Sequence, residues 1–211
     1  FGDDGTYWAE SAKLLCIMLL TLRGTPFIYQ GQEIGMTNFD FTSMDEIKDV
    51  ESHNIYAIAK RLGFPPTLRW RLIKATSRDN ARTPMQWNAG PNAGFTLSSP
   101  WVGINKNYTR INIESQLEDP NSIRNMYKTM IELRANSDIL KAGDFEAVHI
   151  SRYLFVYRRS LHGESLLILL NFSKRERKAI YTGIVVLSNY GRKTYDGTLK
   201  PYEAVILREE E

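Results

Sequence analysis

The period of the apolar residues changes once along this chain, and that change limits the possible folds more than any other feature. Before about residue 137 apolar side chains recur at three and four residues, the spacing of helices that bury one face. From Gly143 onward they alternate or run in short blocks: FEAVHI, YLFVYRR, SLLILLNF, GIVVLSN and AVILR, each bounded by turn residues. Strands spaced about ten residues apart with tight turns between them predict a small antiparallel β-sandwich. The expected fold class is therefore α+β, with helical residues 1–140 followed by an antiparallel domain at 141–211.

Within the first part, residues 6–23 predict a helix, with Thr6 as its N-cap and Leu14, Leu15, Met18, Leu19 and Leu22 on its apolar face. TPFIYQG (25–31) then reads as a short buried strand, so helix, turn and strand form one unit of a parallel sheet. Ser43 with Glu46 forms a capping box that opens a second helix through Ile47, Val50, Ile55 and Ile58, broken by GFPP at 63–66. A short basic helix over 67–76 follows. Residues 80–120 are rich in Asn, Gly, Pro and Trp without periodicity, and a loop that long inside a domain is usually functional. DPNSIRNMYKTMIELRANS (119–137) predicts a further helix, capped by Ser122 or Asp119.

Several classes of function are excluded by what the chain carries. A net charge of +3 over 211 residues, with the basic residues scattered, does not predict a nucleic-acid partner. KLLCIMLLTLRG (13–24) is about half the length of a bilayer span, so no membrane partner is expected. The single Cys16 excludes an internal disulfide and suits a reducing, cytoplasmic setting. No second histidine or acid stands at metal spacing from His53, and there is no phosphate loop, nucleophile elbow or CxxC pair, so no metal or cofactor is expected. Phe1 and the GDDG after it read like the middle of a loop, which predicts a fragment of a longer protein.

The most unusual stretch is SRDNARTPMQW (77–87), which packs Arg78, Asp79 and Arg82 into one turn and closes on Pro84 and Trp87. Together with FGDDGTYWAESAKLL, GTPFIYQGQEIGMTN, DVESHN, NAGFT, PWVGINKNY, DPNSI and LLILLNFS, in that spacing, it resembles the C-terminal part of the oligo-1,6-glucosidases and related α-glucosidases of the α-amylase superfamily. The resemblance implies the last units of a (β/α)₈ barrel with a long loop excursion in 1–140, and the small C-terminal β domain in 141–211. Residues 25–31 would be the eighth barrel strand, and the chemistry would sit on the loops after it. It also implies a retaining hydrolase working through a carboxylate pair. The catalytic carboxylates would lie upstream of Phe1, leaving no catalytic residue in this chain and an inactive fragment.

What the resemblance assigns here is substrate binding. Arg78 matches the arginine that borders the glucose at the non-reducing end, where five fixed donors can hold a carboxylate and a hydroxyl together. Its partner aspartate would come from an early barrel loop outside the chain. Glu51, in DVE, matches the glutamate that hydrogen-bonds the glucose on the leaving-group side, although Ile47 replaces a frequent aromatic residue nearby. Asp79 and Arg82 read as loop structure, and Gln30 and Glu33 as organisers of loop backbone. Trp87, Phe95, Trp101 and Tyr108 read as rings that pack the long loop.

The expected partner is an oligosaccharide with short α-1,6 or α-1,4 links. Trehalose-6-phosphate hydrolase and dextran glucosidase share most of these motifs. Two other classes stay open: a non-catalytic transporter-associated ectodomain of the same fold, and a carbohydrate-binding β module. Standing alone, strand 25–31 and helix 6–23 would lie open to water, so self-association through the N-terminal half is expected.

Overall fold

A computed structural model describes residues 2–209. The chain forms two compact units: one made of the residues through Gly35 together with Gln116 onward, the other of Met36–Ser115. Among the described residues there are six α-helices: α1 Trp8–Thr21, α2 Val50–Arg61, α3 Pro66–Thr76, α4 Ile113–Leu117, α5 Ile123–Ala135 and α6 Asp138–Ala142. Seven strands follow: β1 Asp144–Ile150, β2 Leu154–Leu161, β3 Glu164–Asn171, β4 Arg177–Lys178, β5 Ile184–Ser188, β6 Thr198–Leu199 and β7 Ala204–Arg208.

The first unit is built on a five-stranded antiparallel sheet in the order β1-β2-β3-β7-β5, beside the short ladder β4-β6. Side chains alternate across it with period two. Tyr157, Leu166, Ile168, Leu170 and Ile206 join a core with Leu14, Ile17 and Leu20 of α1 and Ile123, Tyr127 and Met130 of α5. Leu167, Leu169, Val205 and Leu207 join a second core with Ala179 and Leu199 on the opposite face. The central strand β3 is thus buried on both faces, which is why SLLILLN is an almost unbroken apolar run.

Helix α1 is therefore not open to water, contrary to the expectation for a chain standing alone. Leu14, Cys16, Ile17 and Leu20 are almost wholly buried. The β region does not close its own core without them: α1 and α5 supply one of its two covering layers. Each such side chain is worth about 1.5–3 kcal/mol when fully buried, so the sheet and the two helices form one cooperative body. Burial in apolar surroundings also pushes the Cys16 thiol well above its ordinary value.

Both ends of α1 depart from the sequence reading. Thr6 is not its cap. The Asp3 carboxylate accepts from the backbone N–H of Gly5 at 3.0 Å and of Tyr7 at 3.1 Å, and its other oxygen meets Lys174. That ammonium, then the Tyr7 amide, holds the Asp3 carboxyl below its usual range. At the other end two arginines cover the helix carbonyls. Arg134 donates to Leu20 O, Leu22 O and Gly24 O, and the fully buried Arg159 donates to Thr21 O at 2.6 Å.

The run expected as a buried strand at 25–31 forms no strand. Phe27 is 83% exposed, and Ile28 and Tyr29 are also exposed. A strand is defined by the ladder of a neighbour, and no described residue pairs with this one. The segment's turn is held instead by Gln32, whose Oε1 accepts from Tyr29 N at 3.2 Å. Gln30, expected in that role, is exposed.

In the second unit, Phe41, Ile47, Ile73 and Val102 make a small core against Phe39, Ile55, Tyr56 and Trp70. Ser43 opens only a single turn at Met44–Glu46, and the long helix begins at Val50. The Glu46 carboxylate accepts from Thr42 N and Thr42 Oγ1, and the Ser43 side chain caps nothing, so the reciprocal capping box does not form as read. Three of the four rings expected to pack the long loop are turned outward, Trp101 being 68% exposed and Trp87 and Phe95 about half, while Tyr108 is half-buried. Side-chain amides close the loop instead. Gln86 Nε2 donates to Ile111 O, and Asn105 Nδ2 donates to the carbonyls of Thr37 and Asn38.

Candidate functional site

Two short segments of the second unit meet around one buried carboxylate. The first is Lys48-Asp49-Val50-Glu51, which enters α2; the second is the single turn Arg78–Arg82 that follows α3. Ser77 starts that turn, its Oγ accepting from Asp79 N at 3.3 Å, the local signature of a capped turn.

Asp79, wholly buried, fixes the two segments to each other. Its Oδ2 accepts from the backbone N–H of Lys48 at 2.6 Å and of Asp49 at 2.9 Å, and its Oδ1 accepts from Arg82 Nη1 at 2.9 Å. A carboxylate used up by two amides and a guanidinium is a structural brace. Asp79 and Arg82 thus have the loop-holding geometry expected of them.

Arg78 points elsewhere. Its Nε and Nη2 donate to Asp49 Oδ1 at 2.9 Å and 2.5 Å, and its backbone N–H donates to Asp49 Oδ2 at 3.3 Å. Ser52 Oγ donates to that second oxygen at 2.8 Å. Asp49 is 3% exposed while the Arg78 side chain is 57% exposed, so the acid anchors the guanidinium from beneath and leaves its outer edge open. The guanidinium beside it, then Ser52, holds the Asp49 carboxyl far below the usual carboxylate range against the cost of burial. Asp49 in turn raises Arg78, which stays charged.

Glu51 joins on the open side. Its carboxylate lies 3.3 Å from Arg78 Nη2 and is 61% exposed. The two residues singled out from the sequence are therefore neighbours, with a solvent-facing carboxylate and guanidinium edge to edge. Arg78 Nη1 has no hydrogen-bond partner among the described residues. Such an edge offers donors and acceptors at fixed directions, which is what recognition of a vicinal diol requires.

Asp49 was not singled out in the sequence, though it is the group that orients Arg78. Its signal was present: a carboxylate at the N-cap of a helix, two residues before Glu51, whose side chain does not cap that helix. His53 is a backbone tie, its Nε2 lying 2.8 Å from Ile47 O. No group of three or more potential metal-ligating His, Cys, Asp or Glu side chains occurs among the described residues. Glu33 Oε2 is buried without a hydrogen-bond partner among the described residues, so Glu33 is not the backbone organiser it was read as through that oxygen.

Residues 1–143 match the model of the α-amylase catalytic domain. The chain is 40% identical to oligo-1,6-glucosidase of Parageobacillus thermoglucosidasius, over 99% of its own length and 39% of that protein. It is also 40% identical to trehalose-6-phosphate hydrolase of Escherichia coli, with 97% and 39% covered. Isomaltulose synthase of Klebsiella sp. LX3 superimposes with a TM-score of 0.92 at 35% identity, over 99% of this chain and 40% of that one. The chain thus spans about two fifths of the length of these relatives. On the strength of the catalytic-domain match and these relatives, the chain belongs to the α-amylase family.

Proposed function

We propose that the intact protein is a retaining α-glucosidase acting on short α-1,6- or α-1,4-linked oligosaccharides, and that this chain supplies part of its sugar-binding rim. The observation that carries the reading is the Asp49–Arg78–Glu51 group: a buried acid that presents an arginine edge-on beside an exposed carboxylate. Identity to an oligo-1,6-glucosidase over nearly the whole chain supports it. In this reading Arg78 and Glu51 bind sugar hydroxyls, and Asp49 is a positioning residue. The catalytic carboxylates would come from the rest of the protein, so this chain alone hydrolyses nothing. In the parent, residues 1–140 belong to the barrel and 141–211 to a C-terminal domain. A cytoplasmic enzyme fits the reduced, buried Cys16.

The test is kinetic, on the intact protein. Isomaltose and p-nitrophenyl α-glucoside should both be turned over, and Arg78→Ala should lower kcat/KM on the order of 10²-fold through lost positioning. Glu51→Gln should shift preference between leaving groups and spare the aryl glucoside. Near-normal kinetics in a folded Arg78→Ala protein would sink the assignment. A second reading, hydrolysis of trehalose 6-phosphate, is favoured by the equal identity to that relative. The same panel decides it: exclusive turnover of trehalose 6-phosphate replaces the first reading with the second. Purified 211-residue chain should show no activity on p-nitrophenyl α-glucoside.

A further inference from the structure

Residues 52–78 contain no aspartate or glutamate, while Lys60, Arg61, Arg69, Arg71, Lys74 and Arg78 all fall among them. Spread along the sequence these cations look scattered; the hairpin of α2 and α3 carries five of them, and Arg78 follows in the next turn. Three of the six are engaged internally. Lys74 pairs with Asp40, Arg78 with Asp49, and the buried Arg69 stacks over the Tyr56 ring at 4.9 Å. Lys60, Arg61 and Arg71 are exposed and have no carboxylate partner among the described residues.

The same hairpin exposes aliphatic surface. Its apex reads Lys60-Arg61-Leu62-Gly63-Phe64-Pro65-Pro66, with Leu62 69% exposed and Phe64 nearly half exposed. Leu68 and Leu72 are open on α3, beside Arg71. Helix α3 begins at the apex without a side-chain cap and without an acidic residue in its first turn. The positive end of its dipole is therefore uncompensated. A cavity of about 250 Å³ beside the apex is lined by Thr67, Leu68 and Arg71.

We propose that the apex of the α2–α3 hairpin rests on an anionic lipid surface, with Leu62 and Phe64 dipping into the headgroup region and Lys60, Arg61 and Arg71 facing lipid phosphates. A convex apolar tip flanked by cations matches such a surface in both respects: it offers apolar depth beneath and negative charge beside it. The lack of a span, which argued against a membrane partner, bears on crossing a bilayer and not on lying on one.

The experiment is co-sedimentation of the 211-residue chain with vesicles of phosphatidylcholine alone and of phosphatidylcholine mixed with phosphatidylglycerol. The chain should pellet with the mixed vesicles only, and added salt should release it. Lys60→Ala and Arg61→Ala should each weaken binding about fivefold, the worth of one cation at such a surface. Phe64→Ser should weaken it further while leaving the circular dichroism unchanged, since the ring is not part of any of the three cores. Failure to pellet, equal pelleting with neutral vesicles, or an unchanged Phe64→Ser protein would overturn the proposal. Binding to poly-glutamate in place of vesicles, with the same dependence on Leu62 and Phe64, would overturn it in favour of an acidic protein partner.

Discussion

Arg159 is the largest fully buried side chain of the molecule and has no carboxylate partner among the described residues. Its charge is held by four carbonyls: Thr21 O at 2.6 Å, Gly143 O at 2.8 Å, Asp144 O at 3.1 Å and Leu140 O at 3.2 Å. These end α1 and α6 and start β1, so one guanidinium joins three elements across the sheet. Replacing Arg159 by Met keeps most of the aliphatic volume and removes every donor. Hydrogen bonds to a charged group are worth about 1.5–3 kcal/mol each, but the buried cation carries a desolvation cost that offsets part of this. A net loss of about 3 kcal/mol is expected, because four buried carbonyls lose their donor while the desolvation cost of the cation is recovered. With a urea slope of about 2 kcal/mol/M, the midpoint should fall by about 1.5 M. The loss should also be local at first, so amide exchange in residues 17–21 should accelerate before exchange in β3. Arg159→Lys should lie between, because one ammonium reaches fewer carbonyls. A midpoint within about 0.3 M of the parent, or unchanged exchange at the end of α1, would show that these carbonyls find other donors at little cost.

Gly143→Ala should lower the melting temperature by several degrees although its φ is ordinary, because a Cβ there would collide with the backbone oxygens of Ile139 and Ser160; a change of less than about one degree counts against the packing. Asp49→Asn should remove an acid-sensitive step. The folded pKa of Asp49 is depressed, so its contribution is present above the unfolded value of about 3.9 and is lost as pH falls through the lower folded value. Acid titration of the second unit, followed by Trp70 fluorescence, should therefore lose its lowest transition in the variant and keep it in the parent. Proteolytic nicking inside 36–115 should leave the segment carrying α1 bound to the segment carrying α5 and the sheet, because they share one core; elution of the two pieces as separate species on gel filtration would contradict this. Self-association of the chain, through the exposed Phe27 and Tyr29, should appear in sedimentation velocity as a concentration-dependent shift that Phe27→Ser reduces.

The five main strands were legible because each carries its own evidence: a block of β-branched and aliphatic residues, then a turn. His162-Gly163 between β2 and β3 takes positive φ at both positions, the turn that a two-residue hairpin demands. Helix α5 was legible for a similar reason, since Ser122 caps it through Asn125 N as its position suggested. The failures came where local pattern had to be completed by distant partners. TPFIYQG has the composition of a buried strand, but composition cannot supply the neighbouring strands that would make it one. Ser43 and Glu46 have the spacing of a capping box, yet Thr42 captures the carboxylate with both backbone and side chain. The exposed aromatic rings illustrate the same limit, because propensity for a core does not say which core is within reach.

The site shows this more sharply. SRDNAR placed two cations and an acid in one turn, and sequence spacing alone invites them to satisfy each other. They divide instead. Asp79 takes Arg82 and two backbone amides and makes no hydrogen bond to the Arg78 guanidinium. Arg78 must then find its counter-charge elsewhere, and the Lys48 and Asp49 amides pinned by Asp79 bring the Asp49 carboxylate under it. The brace thus decides the geometry of Arg78 without bonding its guanidinium. Within this chain it is Asp49 that fixes the plane of Arg78. What remains open on the guanidinium is Nη1, while Glu51 lies against Nη2 on the solvent side.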